Sequence, residues 1–314
     1  MRVQTAARWG SFLAALLLLL GFGSVADAAP APAATAPRVL FDNSHDETAG
    51  NADWIVSTSQ PDPLAENPAP QSESDWTGAL SSWGVGLQQA GYAVSTLPED
   101  GTISYGDSGN DLDLSNFDTL VLPEPNVLLT DAEKTAIMTF VQNGGGLFMI
   151  SDHHGSDRDN DGADSVDVLN DLMTANSVDS DDPFGFSIDV ADISTENPNG
   201  ISDAAATDPI INGSFGKVSG TIIRSGTTAT LAPADNSAVR GEIYRSSAST
   251  SGTTGVAFAS STFGSGRVAF WGDSSPMDDG TGQSGNDLYD GWNDPAGSDA
   301  ALALNATAWL AHAS

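Results

Sequence analysis

Two stretches of this chain, Leu120-Val121-Leu122-Pro123 and Leu147-Phe148-Met149-Ile150, are apolar throughout and only four residues long. Such a run is too short for a buried helix. It is the pattern of a strand covered on both faces, which occurs where helices flank a parallel sheet. Helical periodicity separates the strands. Asp75 to Ala90 carries Trp76, Leu80, Trp83 and Leu87 on one face, with Gly91 as its stop, and the spacing predicts a helix there. Thr130-Asp131-Ala132-Glu133 forms a capping box that opens a second helix to about Gln142, closed by Gly144-Gly145-Gly146. Ser165 to Ala175 reads as a third helix and Asp299 to Ala311 as the last. Further strands are expected at Arg38 to Phe41 and at Tyr92 to Leu97. Gly255 to Ser260 and Gly266 to Trp271 form a hairpin-like pair. The reading is an α/β fold with a mostly parallel sheet, helices on both faces, and an irregular β-rich insertion at about 180–250. Thr221 to Arg224 and Gly241 to Tyr244 are the insertion's expected strands.

The carboxyl ends of these strands gather the chemistry-bearing residues. Asp42, His45 and Asp46 come after the first strand, and Glu124 after the third. Ser151, Asp152, His153 and His154 come after the fourth, and Asp273 after the last. In an open α/β sheet these positions share the rim where ligands bind. Three of the chain's four histidines lie in these segments. Imidazole with carboxylate suits Zn²⁺ or Mn²⁺, and carboxylate alone suits Mg²⁺. We therefore expect Asp42, His45, Asp46, Asp152, His153 and Asp273 to contribute to a divalent-metal site. The bland alternative is helix caps and loop carboxylates, since Asp is favoured at both. His154, Glu124 and Ser151 are the candidates for acid–base or nucleophilic work. Adjacent His153 and His154 can point in different directions. No Gly-x-Ser-x-Gly elbow supports Ser151.

Asp157-x-Asp159-x-Asp161-Gly162 matches the start of a Ca²⁺ loop, with alternating carboxylates and then a glycine for the sharp turn. Ser165 occupies the ninth position. The twelfth is Val168, where an acid is expected, so a plain acidic turn stays open. Gly285 to Asp294 is a weaker second acidic loop.

Residues 1–28 read as a signal peptide, with Arg2 and Arg8, an apolar Phe12–Leu20 and the A-x-A site Ala26-Asp27-Ala28. Residues 29–37 read as a Pro/Ala linker, and 38–314 as one α/β domain. The expectation is a secreted, extracellular protein with no membrane association after cleavage. With no cysteine, thiol catalysis and disulfides are excluded. Past residue 28 there are 8 basic against 41 acidic side chains. That surface repels phosphate backbones, so nucleic acid is an unlikely partner unless metal ions bridge it.

Phe117 to Pro123, followed by a helix and then Phe140 to His153, resembles the class I glutamine amidotransferase-like superfamily. Within it, the likeness is to secreted, poorly characterised branches. Asp42-x-x-His45, Ala49 to Trp54 and Gly272 to Pro276 look like signatures of such a branch. The resemblance covers most of 38–160 and 255–311. It implies a flavodoxin-like fold. It also implies a Cys nucleophile after the fourth strand, where this chain has Ser151 or Asp152, so amidotransferase chemistry is ruled out. The functional expectation is a secreted metal-dependent hydrolase of ester or phosphodiester bonds, acting on a small molecule or polymer. The alternative is a non-catalytic, Ca²⁺-stabilised module binding a glycan or cell-wall polymer.

Overall fold

The computed structural model describes Met1, residues 35–283 and residues 289–313. The expected signal peptide after Met1, most of the expected linker and Gly285 to Leu288 of the second acidic loop lie outside the described residues.

Strands β1 (Arg38–Asp42), β2 (Ala93–Leu97), β3 (Thr119–Pro123) and β4 (Gly146–Ile150) alternate with helices α1 (Ser81–Gln89), α2 (Asp131–Gln142) and α3 (Ser165–Thr174). Short strands come next: β5 (Phe186–Ile188), β6 (Gly200–Ile201), β7 (Asn212–Gly213), β8 (Gly216–Lys217), β9 (Ala229–Leu231) and β10 (Arg240–Tyr244). The chain closes with β11 (Val256–Phe263), β12 (Gly266–Trp271) and α4 (Asp299–Leu310). The main sheet has the order β2-β1-β3-β4-β12-β11-β10-β6. Its first five strands are parallel, and β11, β10 and β6 extend it antiparallel. The parallel part is the flavodoxin order, and it reverses direction between β1 and β3.

Alternation along each parallel strand builds two cores. Leu40, Leu120, Leu122, Leu147, Met149, Val268 and Phe270 face α2 and α3, packing with Ile137 and Leu169. Val39, Phe41, Val121, Phe148, Ile150, Ala269 and Trp271 face α1 and α4, packing with Trp83 and Leu302. Trp83 anchors this second layer edge-on to Phe41 and Phe148, with ring centroids 5.2 Å apart in each pair. Its indole N–H donates to Thr307 Oγ1 of α4 at 3.1 Å.

The first helix is shorter than its periodicity predicts. Asp75 closes a separate 3₁₀ turn at Glu73–Asp75, and helical structure starts only at Ser81. The intervening backbone is already engaged. Ala79 N–H donates to Asp53 O, and Leu80 N–H to Ile55 O. At Gly78 a Cβ would lie 2.1 Å from Ile55 O, so only glycine allows this approach. Within the insertion, Gly241 to Tyr244 lies in a strand as expected. Thr221 to Arg224 does not: Ile223 makes only an isolated bridge to Glu196. Thr221 instead spends its hydroxyl on Asp299, at 2.5 Å, and on the Trp271 indole, at 3.0 Å. No helix among the described residues is long and apolar enough to cross a membrane.

Candidate functional site

The parallel strands bring Asp42, Glu124, Asp152 and Asp273 to one rim, and side chains there divide into two clusters. The first belongs to β1. Asp42 is fully buried and accepts from Ser44 N–H and Ser44 Oγ. Its Oδ2 lies 2.6 Å from His45 Nδ1. His45 Nε2 lies 3.5 Å from Glu133 Oε2 at the start of α2. Burial pulls the His45 pKa down, but Asp42 and Glu133 outweigh it and lift it to about 11. Burial likewise opposes ionisation of Glu133, yet hydrogen bonds from His45 and Thr130 hold it at about 2. Glu47 receives the His45 backbone N–H at 2.8 Å. Burial and the Asp42 charge push Glu47 well above the usual carboxylate range.

The second cluster joins β3, β4 and the loop after β4. Glu124 is fully buried and sits at φ 58, a left-handed conformation uncommon outside glycine and asparagine. Arg158 holds it in a fork: Nε donates to Oε1, and Nη2 reaches Oε2 at 3.1 Å. The same Nη2 is 3.0 Å from Asp152 Oδ2, and Nη1 is 2.8 Å from Asn51 Oδ1. Burial, then the Asp152 charge, pushes Glu124 up to about 7 despite Arg158. Asp273 is also raised to about 7, by burial and then Asp152, although it accepts the Arg224 and Ser275 backbone N–H groups.

His153 stands at the mouth of this cluster, its side chain 26 % exposed. Nδ1 lies 3.1 Å from Asp152 Oδ1 and 3.2 Å from the Ser225 carbonyl. A carbonyl only accepts, so Nδ1 carries the proton there. Nε2 has no partner among the described residues. The hydrogen bond to Asp152 outweighs burial and lifts His153 to about 9.

The expected metal ligands therefore do not share one centre. Among the described residues, three groupings have ligand atoms close enough to share an ion: Asp42/His45/Glu47, His154/Asp164/Asp167 and Asp157/Asp159/Asp161. None unites Asp42 and His45 with Asp152, His153 or Asp273, and Asp46 is in none. At Asp42/His45/Glu47 both ring nitrogens already face carboxylates. At the β4 end the cation between Glu124 and Asp152 is the Arg158 guanidinium. The six expected ligands are thus not gathered in one grouping, while Asp42, His45 and Glu47 lie close enough to share an ion.

His154 turns away from His153. Its Nδ1 is 2.9 Å from Asp164, which caps α3, and the ring is half exposed. Ser151 is buried, donating to the Asp152 carbonyl at 3.0 Å and lying 3.2 Å from Ser165 Oγ, so it is not presented as a nucleophile. Asp157, Asp159 and Asp161 do cluster, around Gly162 at φ 101. Ser165, the expected ninth position, instead receives the Asp152 N–H, and Val168 is buried in the core. Only the first half of a Ca²⁺ loop is in place.

Sequence reasoning missed Arg158, Asn126 and Ser225. Asn126 takes the Arg158 backbone N–H and donates its own N–H to His45 O, linking the clusters. The available signal was scarcity: an arginine beside a strand end stands out where only 8 basic residues come after residue 28.

No family model matches the chain, and no curated protein does. Solved structures are similar to it at low identity. The mmIFT52 N-terminal domain has a TM-score of 0.49 and 11 % identity, over 87 % of this chain and 97 % of that domain. The cytoplasmic protein STM3548 from Salmonella typhimurium has a TM-score of 0.48 and 13 % identity, over 87 % and 98 %. A protein from Parabacteroides merdae described as ThuA-like has a TM-score of 0.46 and 12 % identity, over 88 % and 90 %.

Proposed function

We propose that this protein is a hydrolase of ester or phosphodiester bonds, with His153 as its acid–base residue. One observation carries the reading: His153 Nδ1 is fixed by Asp152 and the Ser225 carbonyl while Nε2 has no partner among the described residues. An acid-oriented imidazole with a free nitrogen is the arrangement that proton transfer requires. With its pKa near 9, His153 is protonated at neutral pH. It donates its Nε2 proton to the leaving oxygen as that oxygen's bond to the acyl or phosphoryl centre breaks; water adds to the centre and gives up one proton to solvent, and His153 is reprotonated from solvent. Arg158 and Glu124 are positioning residues: Glu124 holds Arg158, Arg158 holds Asp152, and Asp152 holds His153. Glu124 is fully buried and does not touch substrate.

This reading routes no step through a metal: Asp42 is paired with His45, and Glu124 and Asp152 with Arg158. Ca²⁺ enters it only as a brace on the Asp157/Asp159/Asp161 loop, which leads back into Arg158. Export from the cell remains part of the proposal, on the pattern of residues 1–28. The test is a panel of chromogenic esters and phosphodiesters, assayed with and without chelator. Hydrolysis that survives chelation and is lost in His153→Ala supports the reading. Activity unchanged by His153→Ala overturns it.

A further inference from the structure

The β-rich insertion supplies one of the two groups that hold His153 Nδ1, the Ser225 carbonyl at 3.2 Å. The backbone there is unusual. Ser225 sits at φ 65, a left-handed conformation that side chains other than glycine and asparagine rarely adopt. Such a conformation costs energy and persists only where its surroundings fix it. Here both flanks are fixed. Towards the end of β12, Arg224 N–H donates to Asp273 Oδ2, Ser275 Oγ donates to Arg224 O at 3.1 Å, and Thr227 N–H donates to Gly272 O at 2.6 Å. A Cβ at Gly226 would lie 2.6 Å from both Asp273 Cβ and Gly272 O, an approach only glycine allows. On the other flank, Ser225 N–H donates to Ser194 O at 3.0 Å.

The Arg224 side chain closes the arrangement. Nη1 donates to Glu196 O at 3.0 Å and to Asn197 Oδ1 at 2.9 Å. Nη2 donates to Asp294 Oδ2 at 3.0 Å, and Nε to Tyr289 Oη at 3.1 Å. One guanidinium thus ties the insertion to the segment before α4. Each of its three nitrogens is engaged, so Arg224 is not offered to a substrate. Asp152 lies next to His153 in the chain and meets Nδ1 locally. The second partner comes from 72 positions away, so it depends on how the insertion is seated. We propose that Arg224 is a positioning residue of the His153 site: by tying the turn at 224–226 to Glu196, Asn197 and Asp294, it keeps the Ser225 carbonyl on His153 Nδ1, and the insertion completes the site. The consequence for catalysis rests on the hydrolase reading; the consequence for the imidazole ring does not.

Solution NMR of the full chain reads the ring directly. A hydrogen-bonded Nδ1–H exchanges slowly with water, and its resonance is assigned by its absence from His153→Ala. In Arg224→Ala that proton should exchange about tenfold faster, the equilibrium worth of one hydrogen bond. On a hydrolysed ester, kcat should fall by about the same factor with KM unchanged, because Arg224 does not touch substrate. Arg224→Lys keeps a charge for Asp294 but lacks the fork, so it should show the same change to a smaller degree. It decides alone if Arg224→Ala does not fold. The control is the Trp83 indole N–H, held by Thr307 in the core, whose exchange should not move. Unchanged Nδ1–H exchange in the folded variants overturns the proposal, and so does an equal acceleration at Trp83, which would mark general loosening. If the parent hydrolyses no ester, the hydrolase reading fails, and the exchange measurement still decides the role of Arg224.

Discussion

The two acid–histidine clusters at the sheet rim are built from the same residue types at the same kind of position, and they end up as opposites. His45 is 4 % exposed and lies between Asp42 and Glu133, with a carboxylate on each ring nitrogen. His153 has one ring nitrogen tied to Asp152 and the other without a partner among the described residues. Both are lifted above the ordinary histidine range by neighbouring carboxylates. What separates them is the second nitrogen: closed by Glu133, a histidine pins β1 to α2; left open, it can move protons.

This contrast can be broken by mutation. The largest expected effect is on rate: His153→Ala should reduce hydrolysis by about 10²- to 10⁴-fold, the usual contribution of a positioned acid or base, with little change in unfolding midpoint. Asp152→Asn should change activity in the same direction, and the pH at which activity falls away, near 9 in the parent, should move down as the imidazolium loses its partner.

His45→Gln should do the reverse. Removing one member of a buried ion pair strands the other, so a loss of about 3–5 kcal/mol in denaturant unfolding is expected. A loss under about 1 kcal/mol would show that the first cluster is not a pin.

Titration sharpens the comparison further. The folded-state pKa of His45 is raised from 6.5 to about 11, so its contribution is complete below the unfolded value and is lost as pH rises towards 11. Glu133 is lowered from 4.5 to about 2, so its contribution is present above 4.5 and is lost as pH falls towards 2. Glu124 and Asp273 act in the opposite sense. Both are raised to about 7, so the fold favours their protonated forms and loses stability as pH climbs from the unfolded carboxylate range to neutrality. Thermal unfolding against pH should therefore show an alkaline decline that His45→Gln largely removes.

The smallest effect is expected at His154, whose ring is half exposed and pairs with Asp164. His154→Ala should stay within about 0.5 kcal/mol in stability and leave activity intact.

The strands were legible because burial on both faces leaves an unmistakable run of apolar residues, as at Leu147 to Ile150. The rim was legible for the same reason, since the residues just past such a strand must emerge at its carboxyl end. Partners across the rim were not legible. Nothing local says that Arg158 reaches back to Glu124, 34 positions earlier, or that a capping glutamate would meet His45. Those contacts exist because α2 and the loop after β4 pack where they do, and packing is a long-range fact. The start of α1 was misjudged similarly, since the partners of its preceding backbone lie at Asp53 and Ile55.

Arg158 touches Asn51 near β1, Glu124 after β3 and Asp152 after β4, and its backbone N–H is held by Asn126. A single guanidinium thus gathers three separate loops into one unit. Neither the Glu124 loop nor the loop after β4 can swing away alone without stranding a charge, and the Asn51 loop would leave a guanidinium N–H unpaired, so the rim should open in one step or stay shut. Amide exchange in residues 43–52, 124–126 and 152–162 should then report a common opening free energy rather than a graded series.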